Sequence, residues 1–181
     1  MEPPADPVVR FYSGGTDHRG RTVVQILEWP DDTLEVVHDY IQWLFPTIAP
    51  SAVNRHAPLV TPATVAAFSG RLELRDALRL SLDRMLTFYG LCRQTAARPV
   101  RIAMDEGRIQ NRVEQWLWPG DHNHLRLTRI MQSLASLGLP EEASALQRCL
   151  LSDIADGPGR DRITPDTLDH WSQALRPRGG R

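Results

Sequence analysis

The sequence predicts an all-α fold, a single-domain bundle of about seven or eight helices. Three observations predict it. Helix-start residues recur ahead of apolar residues spaced at three and four, as in the Thr-Pro pairs at 61–62 and 164–165. Glycine or proline closes most of these segments, as at Gly90 and Gly138. Strand signals are sparse, with few alternating β-branched runs and no Asn-Gly hairpin.

In chain order, residues 1–8, "MEPPADPV", have the composition of a disordered tail, as do residues 176–181, "RPRGGR". The helical domain is expected between them, over 9–175. "GRTVVQILEW" forms a short helix broken by Pro30. Asp31 or Asp32 caps the next, which is expected to run unbroken to Pro46. Thr61 and Pro62 open another, and a longer helix follows from about Leu72 to Tyr89. Residues 109–118 form a further short helix, whereas 91–108 has no usable period. Asp121 begins a helix that reaches Leu137. Pro140 begins the next, with Glu141 and Glu142 in its positive first turn. Thr164 caps the last.

Composition narrows the functional classes. Apolar residues make up 41% of the 181, charged residues 24%, and the net charge is −1. That balance is ordinary for a soluble globular chain and gives no electrostatic drive toward nucleic acid or an anionic membrane. Every basic residue is arginine, which points to a GC-rich, bacterial genome. No run approaches the length of a membrane span, and the N-terminus lacks the apolar core of an export signal, so a cytoplasmic location is expected. Cys92 and Cys149 lie far apart with no CxxC, which fits buried thiols in a reducing compartment.

The stretch "HDYIQWLFP", 38–46, is the densest in aromatic residues. Wound as a helix at about 100° per residue, Leu34, Val37, Tyr40, Ile41, Leu44 and Phe45 share one face. His38 and Gln42 then sit one turn apart on the other, with Trp43 at its edge. Two readings stay open. A second layer of helices covers this side and hydrogen-bonds its polar groups, or the side is a pocket wall with an aromatic plate and two hydrogen-bonding groups. In "DHNHLRLTRIMQSLASLGL", 121–139, the residues Leu127, Ile130, Met131, Leu134 and Leu137 share the core face. His122, Arg126 and Arg129 form a strip away from it, suited either to carboxylate or phosphate or to salt bridges with a neighbouring helix. Leu125 opposes the core face, so this helix is expected to be covered on both sides.

Several chemistries lack their residues. His122 and His124 of "HNH" point about 200° apart on a helix and cannot share a metal. There is no HExxH, no phosphate loop and no GxSxG. No metal or other cofactor is expected, and no catalytic residue is assigned.

Four blocks, "FYSGGTDHRGRTVVQIL", "HDYIQWLFP", "RMLTFYGL" and "HNHLRLTRIMQSLASLGL", together resemble the conserved region of the opioid growth factor receptor family over roughly residues 9–175. The resemblance implies a receptor-like protein with a peptide ligand. Animal members are similar to intracellular, nucleus-associated receptors for an enkephalin peptide. The family motif matches His38, Tyr40, Gln42, Trp43, His122, Asn123, Arg126 and Arg129, which overlap the residues left over by the two helical wheels. These eight are the candidate ligand-binding set. The leading expectation is a non-catalytic binding module for a peptide or small anionic ligand. The alternatives are an enzyme using His38 or His122 as acid or base, and a scaffold without a small-ligand site. The sequence leaves the oligomeric state open.

Overall fold

The computed structural model describes residues 6–94 and 98–176. These carry ten α-helices, one π-helical turn and one two-stranded sheet. They group into two compact units, where one bundle was expected. The first unit runs to Arg84 and takes in Ser136–Gly138; the second holds Met85–Ala135 and the chain from Leu139 onward. Of the tails expected over 1–8 and 176–181, residues 1–5 and 177–181 lie outside the described residues. Asp6, Pro7 and Val8 form the cap and first turn of a helix.

The first unit is built from short helices. Helix α1 (Pro7–Tyr12) starts where the Asp6 carboxylate accepts from the backbone N–H groups of Val8 and Val9. The other oxygen of Asp6 accepts from the hydroxyls of Thr61 and Thr64, the capping-box residues of α5 (Pro62–Gly70). One side chain thus ties two helix starts together. Helix α2 (Val23–Leu27) has its own capping box, Thr22 with Gln25. Helix α3 (Asp31–Val36) follows Pro30 and carries Asp31 and Asp32 in its first turn, as the dipole favours. The Arg84 guanidinium, on α6 (Leu72–Tyr89), donates to the carbonyls of Leu27 and Trp29 and to Asp31. It thereby satisfies the end of α2 and holds the loop that leads into α3.

The helix expected from 31 to 45 is two. Val37 is extended (φ −86°, ψ 129°), and helix resumes only in the single turn α4 (Ile41–Leu44). The wheel of the preceding subsection is therefore wrong beyond Val36, and Tyr40 to Thr47 are buried without a break. Two β-branched valines in succession weaken the helix here, and burial of the aromatic run decides the backbone path.

In the second unit, α6 ends at Gly90, whose φ is +74°. A Cβ built there would lie 2.9 Å from the Ile109 Cα, so glycine is required both for the turn and for the close approach of α7 (Ile109–Trp116). The segment without a period is a hairpin, β1 (Leu91–Gln94) antiparallel to β2 (Arg101–Met104), with Leu91 opposite Met104. This corrects the all-α expectation to mainly α with a small sheet. Helix α8 (His122–Ser136) follows, with Leu127, Ile130, Met131 and Leu134 buried as the period predicts. Leu125 is 60% exposed, so α8 is open on that side rather than covered. Helix α9 (Pro140–Arg148) continues into the π-helical turn Cys149–Ile154. Helix α10 (Pro165–Gln173) starts at the Thr164 cap. Among the described residues, no helix is long and apolar enough to cross a membrane.

Candidate functional site

The sequence-selected residues divide between the units. In the first, Tyr40 is fully buried and its hydroxyl donates to the Leu34 carbonyl at 3.1 Å, a structural role. Gln42 and Trp43 are also buried. His38 is exposed, and the break at Val37 removes the one-turn relation between His38 and Gln42.

Gln42 and Trp43 belong instead to a cluster that the sequence reading missed. Its frame is the loop before α2. The fully buried Asp17 carboxylate accepts from the backbone N–H groups of Arg19 (2.8 Å) and Arg21 (3.0 Å) and from the Arg21 Nε (2.6 Å). Gly20, at φ +79°, closes the turn by donating to the Asp17 carbonyl. So folded, the loop aims three side chains at Asp39. The Arg21 guanidinium donates to one carboxylate oxygen at 2.9 Å and the Arg19 Nε to the other. His18 Nε2 lies 3.6 Å from that second oxygen. Partial burial opposes ionisation of Asp39, but the hydrogen bonds and charges of Arg21 and Arg19 outweigh it and lower its pKa.

The His18 ring lies nearly parallel to the Trp43 indole (centroids 6.0 Å apart, 11° between planes) and to the His56 ring (5.1 Å, 12°). His56 Nε2 accepts from the Arg55 Nε at 3.1 Å. That makes Nε2 the acceptor and places the His56 proton on Nδ1. Asn54 holds the segment in place: its Oδ1 accepts from the His56 N–H, and its amide reaches the Asp39 carbonyl and Gln42 Oε1 at 3.3 and 3.4 Å. Burial lowers the His18 pKa; Asp17 and Asp39 oppose that, while His56 and Arg21 reinforce it. The Trp43 Nε1 is buried with no hydrogen-bond partner among the described residues, a donor still to be satisfied. The result is an aromatic and imidazole stack running from buried Trp43 to exposed His56, flanked by Arg19 and Arg55.

In the second unit, Asn123 is fully buried and its Oδ1 accepts from the Tyr89 hydroxyl (3.3 Å) and from Arg126 (3.2 Å). Arg126 is 5% exposed. The strip His122–Arg126–Arg129 is therefore not a solvent-facing stripe along its length. His122 has a 41% exposed side chain 3.8 Å from Asp121. Arg129 is half-buried, which lowers its pKa.

His124 is the structural histidine of "HNH". Its Nε2 meets the Trp116 carbonyl at 3.1 Å, so Nε2 carries the proton; Nδ1 then accepts from the Thr167 hydroxyl at 3.2 Å. Thr167 in turn faces the Thr164 hydroxyl. These contacts suit the neutral ring with its proton on Nε2. Burial lowers the His124 pKa, reinforced by His122 and opposed by Asp121 and the Trp116 carbonyl. An unfolded histidine titrates near about 6.5. Between that value and the lower folded one, the unfolded chain binds the extra proton, so stability falls as pH drops through this window and is kept in full above it. We expect melts to lose stability below about pH 6.5 and the loss to shrink in His124→Gln. A His124 ring that titrates at or above the unfolded value in an NMR titration would contradict this.

Both cysteines are free thiols; burial raises the pKa of each, that of Cys149 to about 12. Neither is poised as a thiolate nucleophile.

Comparison with known proteins agrees with the four blocks. The family model described as the opioid growth factor receptor (OGFr) conserved region matches residues 9–181. The opioid growth factor receptor of Mus musculus is 36% identical over 165 residues, which is 90% of this chain and 25% of that protein. That of Homo sapiens is 35% identical over 158 residues, 84% of this chain and 22% of the receptor. Opioid growth factor receptor-like protein 1 of Mus musculus is 30% identical over 178 residues, 96% and 37% of the two chains. The chain thus spans from under a quarter to somewhat over a third of the length of these relatives. No solved structure matches. With a family model covering nearly all of it and receptors of that name among its relatives, the chain belongs to the opioid growth factor receptor conserved-region family.

Proposed function

We propose that the chain is a non-catalytic binding module for a peptide or other small anionic ligand, received on the first unit at the His18–His56 stack. The observation that carries this reading is the stack itself, bounded by Arg19 and Arg55 and ending at a buried indole N–H without an acceptor. Aromatic and imidazole faces take up planar or aromatic side chains. Arginine forks take up carboxylates. The Asp39 charge is already matched by Arg19 and Arg21, so an incoming carboxylate meets little repulsion from it. The relatives' name, opioid growth factor receptor, supports a peptide as the ligand class. His38, next to Asp39 in the chain, is proposed as a further contact, with Gln42 and Trp43 as the inner wall. On α8, His122 and Arg129 are the candidates with exposed surface, and Asn123 and Arg126 support them.

Calorimetric titration with an enkephalin peptide and with its C-terminal amide tests the reading. Binding of the free acid, weakened at least tenfold by Arg55→Ala or His56→Ala at unchanged melting temperature, is expected. Both residues are exposed, so neither change should disturb the fold. Equal affinity in both variants would remove the stack from the site, and no binding of either peptide would remove the peptide class.

A further inference from the structure

A cleft of about 470 Å³ lies within the second unit, between β2 and the helical segment 145–153. It falls in the range of small-molecule sites, about 300–1,000 Å³. Arg98, Arg101 and Arg148 line it with one carboxylate, Asp153. Its floor is apolar: Val100, Ile102, Ala145 and the Cys149 thiol, which stays protonated. A smaller depression of about 250 Å³ shares Pro99, Val100 and Arg148 with it and adds Glu141 and Ser144. The two form one elongated groove with Arg148 at the junction.

The backbone shapes this groove. At Cys149 the helix widens from α to π hydrogen bonding, with the Ala155 N–H reaching back to the Leu150 carbonyl. Cys149, Ser152 and Asp153, all from this wider turn, line the cleft. Such π turns are enriched at functional sites because they re-aim side chains at a cost in helix stability. The opposite wall is β2 and the residues leading into it. Arg148 fastens wall to floor by donating to the Val100 carbonyl at 3.3 Å, one of the five N–H groups a guanidinium offers.

We infer that this groove is a second ligand site, distinct from the stack on the first unit, and that it takes a small organic anion. A carboxylate or phosphate head is held by Arg101 and Arg148, and an apolar body lies along Val100, Ile102 and Cys149. Arg101 and Arg148 bring two guanidinium groups to a cleft whose lining holds the one carboxylate of Asp153. Arginine forks bind either head, and the apolar floor selects against a bare inorganic ion.

Octanoate, octyl phosphate and inorganic phosphate, each titrated into the ¹⁵N-labelled chain, test the inference. Saturable shifts centred on the amides of Val100, Ile102, Ala145 and Ser152 are expected with octanoate or octyl phosphate, and binding of inorganic phosphate at least tenfold weaker. Whichever of the two octyl compounds binds more tightly identifies the head group. Arg101→Ala and Arg148→Ala should each weaken binding at least tenfold. Arg101 is exposed and makes no ion pair among the described residues, so its variant keeps the fold even if Arg148→Ala, which loses the Val100 bond, does not. No saturable shift with either octyl compound, inorganic phosphate binding as well as they do, or unchanged affinity in Arg101→Ala would overturn the inference.

Discussion

Replacement of Trp116 by alanine is expected to lower stability by about 3–5 kcal/mol, the range for a fully buried large aromatic side chain. The indole fills space between Tyr89 and His124, with ring centroids 5.2 and 6.3 Å away in edge-on geometry. Its Nε1 donates to the Tyr89 carbonyl at 3.1 Å, beside the Gly90 turn that ends α6. Alanine therefore opens a cavity and removes the indole N–H that this carbonyl accepts from. Trp116→Phe separates the two effects. It keeps most of the apolar volume but loses the N–H and part of the bicyclic ring, so it should cost about 1–3 kcal/mol. Urea titration followed by far-UV circular dichroism measures both. A loss below about 1 kcal/mol for the alanine variant would mean that the second unit tolerates this cavity by collapse.

The second large effect is expected at Ile41, where alanine should cost about 2–5 kcal/mol. Ile41 is 3% exposed at the start of α4. A single turn has little stability of its own, so its place depends on what Tyr40 to Thr47 bury. Val36, five residues earlier and 69% exposed, is the internal control. Val36→Ala should stay within about 0.5 kcal/mol. Equal losses at the two positions in the same titration would contradict the burial described for this stretch.

These two variants also mark what the sequence made legible. The Thr-Pro helix starts, the Gly90 and Gly138 stops and the buried face of α8 could all be read from residues one or two turns apart, because capping and period are local. The break at Val37 could not. The wheel for 31–45 was self-consistent, but the contest between continuing a helix and burying Tyr40, Trp43 and Phe45 together is decided by residues distant in the chain. The hairpin was hidden for a related reason. Its strands have four residues each, too few for a period, and their pairing is a tertiary fact.

The candidate site was legible to a similar degree. Trp43 and Gln42 stood out, but their partners His18, Asn54 and His56 lie on other loops with no spacing to connect them. The signal that was present is the loop "TDHRGR", one of the blocks carrying the family resemblance. Its short Asp-to-Gly turn, with arginines on either side of the glycine, is the mark of a loop held by its own carboxylate. On α8, the strip of His122, Arg126 and Arg129 was correct as a spacing. The position of Arg126 inside the second unit was not visible, since a wheel gives direction without depth.

The way the chain is divided between its units has a consequence for dissecting the protein. The boundary is crossed three times: within α6 after Arg84, at the end of α8 before Ser136, and again after Gly138. A fragment ending at Arg84 stops inside a continuous helix and lacks the three residues that return from much later in the chain. The complementary fragment begins with the last five residues of α6, too few to nucleate a helix without tertiary support. Neither unit can be obtained by a single cut, so a truncation series would report the severed helix rather than the function of the part removed. Assigning the two proposed sites to their units therefore calls for point substitutions in the intact chain.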